Sequence, residues 1–406
     1  MPNQASQSSA AVPGFPLWPL LATMGMQTLA TMAAYSVPAL APAIARDLAI
    51  DGALAGYFVS AVYGVGIVSS LLAADLIHRH GAVRLGQAVL AGTLAMLLIS
   101  ASGSVAALAL GALALGSAYG ATAPVSTHLL VPRTAPRIVN LVLSIRQIGV
   151  PLGGVLGALL LPPLALRLGW QTTFLLQALP AALLLLLLEW PRRRWDGERP
   201  AGPGRRKGGL RQIVSLLAAS GELKRLTFAS FVFSGLQLSF VAFTTVQLTS
   251  RADFGLVAAG QALAAYQVSG VLTRPIWGWI ADRWIPARDI LVFQGLVMGA
   301  AALVAGQFGP GWPVAGVLLV CAVAGATASG YTGLAYAEFA RLGGPRRTEA
   351  TGLGSAAMFS GVLVLPSLGA ALVTRTGSYG LAYGALGVAA ILTGLMLASG
   401  NRGARR

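Results

Sequence analysis

The chain has 406 residues, of which 56% are hydrophobic and 10% charged, with a formal net charge of +16. A soluble globular protein carries about 25% charged residues, so the composition excludes that class and indicates a membrane protein. Three histidines, one cysteine and the lack of a phosphate-binding loop or an acid–base constellation predict no metal, no cofactor and no enzyme activity.

Long apolar segments follow one another along almost the whole chain. A helix needs about 20 apolar residues to cross a bilayer, and this rule predicts twelve spans. In chain order they are residues 17–40, 54–77, 84–102, 105–128, 139–163, 170–188, 226–250, 256–280, 289–307, 312–338, 350–373 and 379–398. The predicted fold class is an all-α membrane protein with twelve transmembrane helices and both termini on one side.

One long polar stretch, "EWPRRRWDGERPAGPGRRKGGLRQ" at 189–212, separates six spans from six. Its Arg, Gly and Pro content is typical of a flexible connector at a membrane surface. The predicted domains are an N-terminal tail at 1–16, a six-helix bundle at 17–188, a linker at 189–224, a second six-helix bundle at 225–398 and a basic tail at 399–406.

The basic residues are concentrated on one side of the predicted membrane protein. Of the 28 Lys and Arg residues, 22 fall on the side of the termini, four fall on the other side and two lie inside spans. Because cytoplasmic loops carry the Lys and Arg excess, we predict a multi-pass protein of the inner membrane with both termini in the cytoplasm. The positive charge then reflects the membrane topology, so the expected partners are membrane lipids and no nucleic acid. Residues 1–16 do not have the pattern of a signal peptide.

Two pairs of segments repeat between the halves of the chain. "AADLIHRHGAVRL" (73–85) matches "GWIADRWIPARDI" (278–290) at a spacing of about 204 residues, and "LALRLGWQTTF" (164–174) matches "LVTRTGSYGLA" (372–382) at a spacing of 208. Internal symmetry between six-helix halves is typical of secondary transporters, whose substrate site lies between the halves near the middle of the membrane.

The segment "GWIADR", Gly278 to Arg283, resembles the loop motif G-x-L-A-D-R-x-G-R-R of the major facilitator superfamily. With the two-bundle organisation, the resemblance covers essentially the whole chain. It implies that this loop is a cytoplasmic latch, in which the carboxylate receives a helix N-terminus and partner arginines while the outward face is open. Gly278, Asp282 and Arg283 occupy the latch positions, and a carboxylate near helix-end N–H groups is electrostatically favourable.

The first-half copy of this loop departs from the motif. Aligned on "HRHGAVR", His78 stands where the family has Asp, and Ala74 stands where it has Gly. Asp75 is displaced by three residues, which is about one helical turn. Asp75, His78 and Arg79 are therefore the candidate residues of a counterpart latch.

Spans four and five carry further resemblances. "GSAYGATAP" (116–124) is similar to the glycine-rich fourth helix of the family but lacks the Arg that many members place there. "SIRQIGVPLGG" (144–154) resembles the G-P-x-x-G-G pattern enriched in antiporters, with the proline offset. Gly149, Gly153 and Gly157 on span five form a small-xxx-small stripe that favours close helix packing.

Two arginines lie deep inside predicted spans. Arg146 is nine residues into span five, and Arg274 is eight residues before Asp282 on span eight, so both lie about 12–13 Å from the cytoplasmic edge. All twelve acidic residues map to loops or span ends, and a buried unpaired charge costs several kcal/mol. In the family fold helices five and eight are neighbours across the halves. We therefore predict that Arg146 and Arg274 bind an anionic substrate group in a central cavity.

The surroundings of Arg274 add a second resemblance. "TRPIWGWIADR" is similar to the eighth helix of monocarboxylate and oxalate/formate-type carriers, in which an Arg before the loop motif contacts the substrate carboxylate. Arg274 matches that position. Helix packing or a latch role is the alternative for Arg274, and helix packing is the alternative for Arg146.

Further lining residues are predicted from helical spacing and from the family, in which helices one, four, seven and ten line the cavity. They offer amides, hydroxyls and aromatic rings: Gln27, Thr31 and Tyr35 on span one, Tyr119 on span four, Gln147 on span five, Gln237 on span seven, Gln267 on span eight and Tyr331 on span ten.

The sequence thus predicts a secondary transporter that moves a small mono- or dicarboxylate across the inner membrane by alternating access. The alternative is an efflux antiporter for hydrophobic drugs or other small molecules, favoured by the span-five pattern. Pumps for cations usually carry a membrane carboxylate, which is missing here. Proton symport, exchange with a counter-substrate and uniport stay open, with His128 on span four as the central-chain histidine. We expect a monomer.

Overall fold

The computed structural model of the protein describes residues 14–50, 54–197 and 209–399. Most of the predicted N-terminal tail, the centre of the linker and the basic tail beyond residue 399 lie outside the described residues. Within the described ranges the regular structure is helical. The α-helices are α1 (Leu17–Ala39), α2 (Ala41–Leu48), α3 (Leu54–His80), α4 (Ala82–Ser100), α5 (Val105–Tyr119), α6 (Thr122–Leu130), α7 (Val139–Arg146), α8 (Gly149–Leu168), α9 (Trp170–Leu187), α10 (Glu189–Gly197), α11 (Gly209–Ala219), α12 (Gly221–Arg251), α13 (Leu256–Arg283), α14 (Ala287–Ala305), α15 (Val314–Ala324), α16 (Thr332–Gly343), α17 (Arg347–Thr376) and α18 (Tyr379–Ser399).

The described helices match the twelve spans of the predicted all-α fold. By length and apolar composition, nine continuous helical stretches in the described ranges are able to cross a membrane, or ten if α1 and α2, which meet at 54°, count as one broken span. One of the nine, Val314–Thr376, holds two successive spans, α15–α16 and α17. Helix α13 is not among the nine, and its sequence includes the polar residues Gln267 and Arg274.

Three spans that the sequence predicts as continuous helices are broken near their middle. The breaks separate α5 from α6, α7 from α8, and α15 from α16, the last through a π-helical turn at Gly325–Ser329. Pro124 and Pro151 lie in the first turns of α6 and α8, where a missing N–H is tolerated. Neither proline is able to donate a bond to the carbonyl four residues upstream, at Gly120 and Gln147, so both helices are interrupted there.

The helices form two bundles with equivalent internal packing. In the first bundle α1 packs on α8, α3 on α5, and α4 on α9; in the second α12 packs on α17, α13 on α15, and α14 on α18. Each bundle has its own large cluster of buried apolar side chains. This pairing confirms the two-bundle, pseudo-symmetric architecture that the weak sequence repeats predict.

The two bundles meet on the side of the linker. Helix α7 packs against α13 and α16, and α17 packs against α3 and α6. A Cβ atom at Gly278 would lie 2.7 Å from the carbonyl oxygen of Asn140, so only glycine allows α13 to approach α7 this closely. Helix α8, the other half of span five, packs on α1 within its own bundle. The contact between the bundles is therefore concentrated in the linker-side halves of the spans.

Parts of the predicted flexible linker are helical, namely α10 and α11. Helix α10 is held against the first bundle, because the Asp196 carboxylate accepts a hydrogen bond from the Val83 N–H at the start of α4 (2.9 Å). The Arg133 guanidinium also donates to the carbonyl oxygen of Trp195 (2.9 Å). The sequence analysis did not predict this contact, because the segment is mostly basic and Asp196 does not stand out in it as an anchoring residue.

Candidate functional site

A cavity of about 440 Å³ lies between the two bundles. It reaches from the level of the two span arginines toward the side opposite the linker, where Pro38, Ala39 and Ala158 line it. The three helix breaks lie at its inner end, with Tyr119, Arg146 and Ser329 lining the cavity beside them. Its volume falls in the range of about 300–1,000 Å³ that is usual for small-molecule sites.

Arg146 ends α7 at the break in span five, and its side chain is 2% exposed. One terminal nitrogen donates to the Gln27 amide oxygen (2.9 Å) and to the Thr122 carbonyl (2.8 Å). The other donates to the amide oxygen of Gln147. The third nitrogen, Nε, is buried and has no hydrogen-bond partner. All partners of this guanidinium are neutral, so its charge is solvated but not neutralised.

Arg274 lies on α13 and is 1% exposed. Its Nε and one terminal nitrogen donate to the carbonyl and hydroxyl oxygens of Ser329 (3.1 and 3.0 Å). Its other terminal nitrogen donates across the bundle boundary to the Gln147 carbonyl (3.1 Å). That carbonyl is the one that Pro151, four residues on, leaves without its usual helical donor. Arg274 therefore has a partner for each nitrogen, and one of these bonds ties the two bundles together.

No carboxylate lines the cavity in the part of the chain that the structure describes. The described carboxylates pair outside the cavity. Glu338 pairs with Arg341 (2.5 Å) and Glu189 with Arg84 (3.1 Å) near the linker-side ends of helices, whereas Asp47, near the opposite side, accepts a hydrogen bond from the Trp170 indole N–H (2.9 Å). The cavity thus holds two permanent positive charges without an acidic partner, which raises the local concentration of anions and disfavours cations.

The other predicted lining residues come together with one exception. Those that line the cavity are Gln27, Tyr35, Tyr119, Gln147, Gln237, Gln267 and Tyr331. Thr31 is 0% exposed and lies behind them, where its hydroxyl bonds the Gln27 amide (2.8 Å) and the Tyr119 hydroxyl (3.1 Å). Thr31 is therefore placed to position Gln27, which in turn holds Arg146, and it has no direct access to the cavity.

Span seven carries two more polar residues on the helix face of Gln237, Thr244 and Gln247, and both face the interior of the second bundle. The Thr244 hydroxyl bonds the Tyr383 hydroxyl (3.2 Å), and the Gln247 amide donates to the Ala305 carbonyl (2.9 Å). Their helical spacing from Gln237 is regular, but α12 turns them into the core, because α12 packs on both α17 and α18.

Aromatic rings that the sequence did not reveal join the predicted Tyr119 on one side of the cavity. Phe359 on α17 stacks on Tyr119 (centroids 5.7 Å apart, 22° between planes) and meets the edge of Tyr63 on α3 (5.2 Å). Tyr336 on α16 also lines the cavity and bonds the Ser355 hydroxyl (3.0 Å). No sequence signal marks Phe359 and Tyr63, because their place in the cavity depends on how α17 packs against α3.

The predicted latch residues of the second bundle lie at the linker-side contact. The Asp282 carboxylate accepts hydrogen bonds from the main-chain N–H groups of Asn140 (3.1 Å) and Leu141 (2.8 Å) and from the Asn140 amide (2.8 Å). These donors belong to the first turn of α7, whose dipole favours a negative charge. The Arg283 guanidinium lies over the Trp279 ring (5.0 Å).

The first-half copy makes a different contact. The His78 Nε2 atom lies 3.7 Å from a carboxylate oxygen of Glu349 on α17, and His128 bonds the Thr348 hydroxyl (3.0 Å). Asp75 lies one turn before His78 on α3, and Arg79 is exposed beside it. The two copies of the motif thus hold the bundles together with unlike chemistry.

Two bundles of membrane-spanning helices around a central polar cavity define the architecture of a secondary transporter. The profile of the Major Facilitator Superfamily matches residues 23–337 and 228–402. The chain belongs to the Major Facilitator Superfamily, whose members are transporters rather than enzymes.

Solved structures and curated sequences agree with this assignment. The fucose:proton symporter FucP of Escherichia coli superposes with a TM-score of 0.72 over 94% of this chain and 98% of that chain at 12% identity. The proton:xylose symporter XylE gives 0.73 over 95% of each chain at 14% identity, and at such identities the likeness concerns the fold alone. The purine ribonucleoside efflux pump NepI of Escherichia coli O127:H6 is 25% identical over 272 residues, which span 64% of this chain and 64% of the pump.

Proposed function

We propose that the protein is a secondary transporter that moves a small organic anion, a mono- or dicarboxylate, by alternating access. The observation that carries this proposal is the buried Arg146 guanidinium, which lines the cavity, has only neutral partners and keeps Nε unpartnered. A carboxylate is the better partner for it, because two parallel charge-assisted hydrogen bonds are about twice as strong as neutral ones.

The glutamines around Arg146 make the exchange of partners feasible. Gln27 and Gln147 hold two of its nitrogens through side-chain amide oxygens, which are able to rotate away when a carboxylate enters. Released amides then donate N–H groups to the same substrate. The exposed faces of Tyr35 and Phe359 offer an apolar surface for the rest of a small organic acid.

Arg274 has a different role in this proposal. Each of its nitrogens already has a partner, so it contributes positive potential to the cavity and ties α13 to the Gln147 carbonyl. Because this tie crosses the bundle boundary, it is present only while the linker side is closed. Loss of Arg274 should therefore impair the conformational cycle more than it impairs anion binding.

Orientation follows from the distribution of basic residues. With 22 of the 28 Lys and Arg residues on the side of the termini, we propose an inner-membrane monomer with bundles at 17–188 and 225–398 and cytoplasmic termini. The contact around Gly278, Asp282 and Arg283 is then the cytoplasmic latch, and the described cavity faces outward. Proton coupling or exchange with a counter-substrate would drive the cycle, and both solved neighbours are named as proton symporters.

A second candidate is the efflux of a neutral, ring-bearing solute. Curated relatives at 24–25% identity are purine ribonucleoside efflux pumps. Gln237 and Gln267 offer amide hydrogen bonds, and Tyr35 and Phe359 offer aromatic surfaces, to a planar heterocycle. Efflux of lipophilic cations is disfavoured, because the two arginines of the cavity have no acidic partner in the described residues.

Uptake into proteoliposomes tests the two candidates. The panel contains labelled mono- and dicarboxylates and a labelled purine ribonucleoside, each assayed with and without an inward proton gradient. We expect the wild type to transport at least one carboxylate, and Arg146→Ala to lower that uptake by about 100-fold, because a charge-assisted bidentate contact is lost. Arg167→Ala is the matched control, since Arg167 lies on the same span but is exposed.

Two outcomes would contradict the organic-anion proposal. One is carboxylate uptake by Arg146→Ala at the wild-type rate. The other is transport of the nucleoside with no uptake of any carboxylate, which would favour the second candidate.

A further inference from the structure

Two of the three histidines of the chain lie together at the contact between the bundles. His78 on α3 and His128 on α6 have ring centroids 6.3 Å apart. Both reach the first turn of α17 in the opposite bundle, His78 at Glu349 (3.7 Å) and His128 at Thr348 (3.0 Å). The imidazole is the side chain that ordinarily changes its charge between pH 5 and 8, so this contact is able to respond to pH.

Charged groups around the two rings differ in sign. The carboxylates of Glu349 and Asp75 lie near His78. His128 lies near the guanidiniums of Arg133 and Arg347, with Glu349 as the nearby carboxylate. Arg346 is a further cation near Glu349. A proton on His128 would add positive charge beside two arginines and His78, whereas a proton on His78 would face carboxylates. Of the two rings, His78 is therefore the better site for a proton.

Glu349 is suited to stabilise that proton. Its side chain is 12% exposed, and one of its carboxylate oxygens, Oε2, is buried without a hydrogen-bond partner. A protonated His78 would convert the 3.7 Å contact with the other oxygen into a charge-assisted ion pair. The His78 side chain is 57% exposed, so protons from the linker-side solution reach it directly.

We propose that His78 and Glu349 form a proton-binding site that is complete only while the bundles are closed on the linker side. Each bundle supplies one member, so separation of α3 from α17 removes the carboxylate from the imidazole. The closed state then binds the proton more tightly than the separated state. By reciprocity, proton binding favours the closed state, so lowering the pH shifts the protein toward linker-side closure.

This site is independent of the substrate. It lies at the linker-side end of α3, outside the cavity of Arg146, and the protein without ligand is sufficient to test it. The contact at Asp282 serves as an internal comparison. Its hydrogen-bond donors are main-chain and amide N–H groups, which do not change their charge between pH 5 and 8 as an imidazole does.

The test is the distance between spin labels on opposite bundles, measured in lipid nanodiscs between about pH 8 and about pH 5.5, which brackets the titration of an imidazole. The labels are attached at Arg137→Cys and Ile285→Cys, two exposed positions in linker-side loops. The native Cys321 is 1% exposed and does not compete for the label. We expect acidification to raise the ratio of short to long distances about two- to fivefold, the range of a partly exposed ion pair.

The variants come from both bundles. His78→Gln and Glu349→Gln should each abolish the pH response. If both variants lose it, the cause is loss of the shared site and not a folding defect of one variant. His80→Gln, two residues from His78 on the same helix, is the matched control and should keep the response. A wild type whose distances do not change with pH, or open at low pH, overturns the proposal. A His78→Gln protein that responds like the wild type overturns it as well.

Discussion

The two bundles each bring one buried arginine to the cavity at a similar depth, yet the two guanidiniums are held differently. Arg274 of the second bundle is bound by main-chain carbonyls and a serine at two helix breaks. Arg146 of the first bundle depends largely on two glutamine side chains and leaves Nε without a partner. Rotatable partners suit a site that exchanges them for a ligand, and main-chain partners suit a structural tie.

The linker-side contacts repeat this contrast. Asp282 of the second bundle accepts three N–H bonds at the start of α7. Its counterpart in the first bundle is a histidine that lies 3.7 Å from Glu349. The Asp282 contact rests on fixed dipoles, whereas the His78 contact depends on a proton. The repeated segments of the two halves therefore form two kinds of contact. The Asp282 contact does not depend on the protonation of an imidazole, and the His78 contact does.

The largest effect on this contrast is expected from Asp282→Asn. The substitution keeps the size of the side chain but removes the charge at the N-terminus of α7, an interaction typically worth about 0.5–2 kcal/mol. The ratio of closed to open protein should fall about tenfold at neutral pH, measured with the label pair at positions 137 and 285. Asp289→Asn, at an exposed position in the first turn of α14, is the control.

Two results would disagree with this expectation. An Asp282→Asn protein that stays as closed as the wild type would show that the Asp282 carboxylate does not stabilise the closed state. An equal loss in Asp289→Asn would attribute the effect to general electrostatics rather than to α7.

A smaller effect is expected from Pro151→Ala. Alanine restores an N–H that is able to bond the Gln147 carbonyl within the helix and so competes with Arg274 for that acceptor. Loss of about one hydrogen bond, roughly 1 kcal/mol, should slow transport about fivefold while the affinity for the anion stays unchanged. Initial rates in proteoliposomes and titration calorimetry measure the two quantities separately.

Pro162→Ala, in the interior of the same helix, controls for a general change in the stability of α8. Equal slowing by both substitutions, or a weakened affinity in Pro151→Ala, would speak against the competition for the Gln147 carbonyl.

Most of the fold was predictable from the sequence, because each membrane span is a long apolar segment. The breaks in spans four, five and ten are harder to predict. Pro124 and Pro151 mark two of them, but a helix also tolerates proline with a kink, and the outcome depends on whether a distant donor such as Arg274 satisfies the freed carbonyl. The docking of α10 through Asp196 depends on tertiary contacts in the same way.

The polar residues of the site could be predicted from the sequence, whereas its apolar residues could not. Arg146, Arg274 and the glutamines stand out against apolar spans and do line the cavity. Phe359 and Tyr63 do not stand out, because a span that is apolar all round does not encode which face turns toward the partner bundle. Thr31 shares a helix face with Gln27 but lies behind it, since hydroxyls pack as readily as they face solvent.

In the proposed mechanism Arg146 binds the substrate anion, whereas Arg274 ties the bundles together. Titration calorimetry of Arg146→Gln and Arg274→Gln tests it most directly, using the carboxylate that the wild type takes up fastest. We expect Arg146→Gln to weaken the affinity about 100-fold, and Arg274→Gln to change it less than about threefold while still losing transport. Equal losses of affinity in the two variants, or a larger loss in Arg274→Gln, would contradict it.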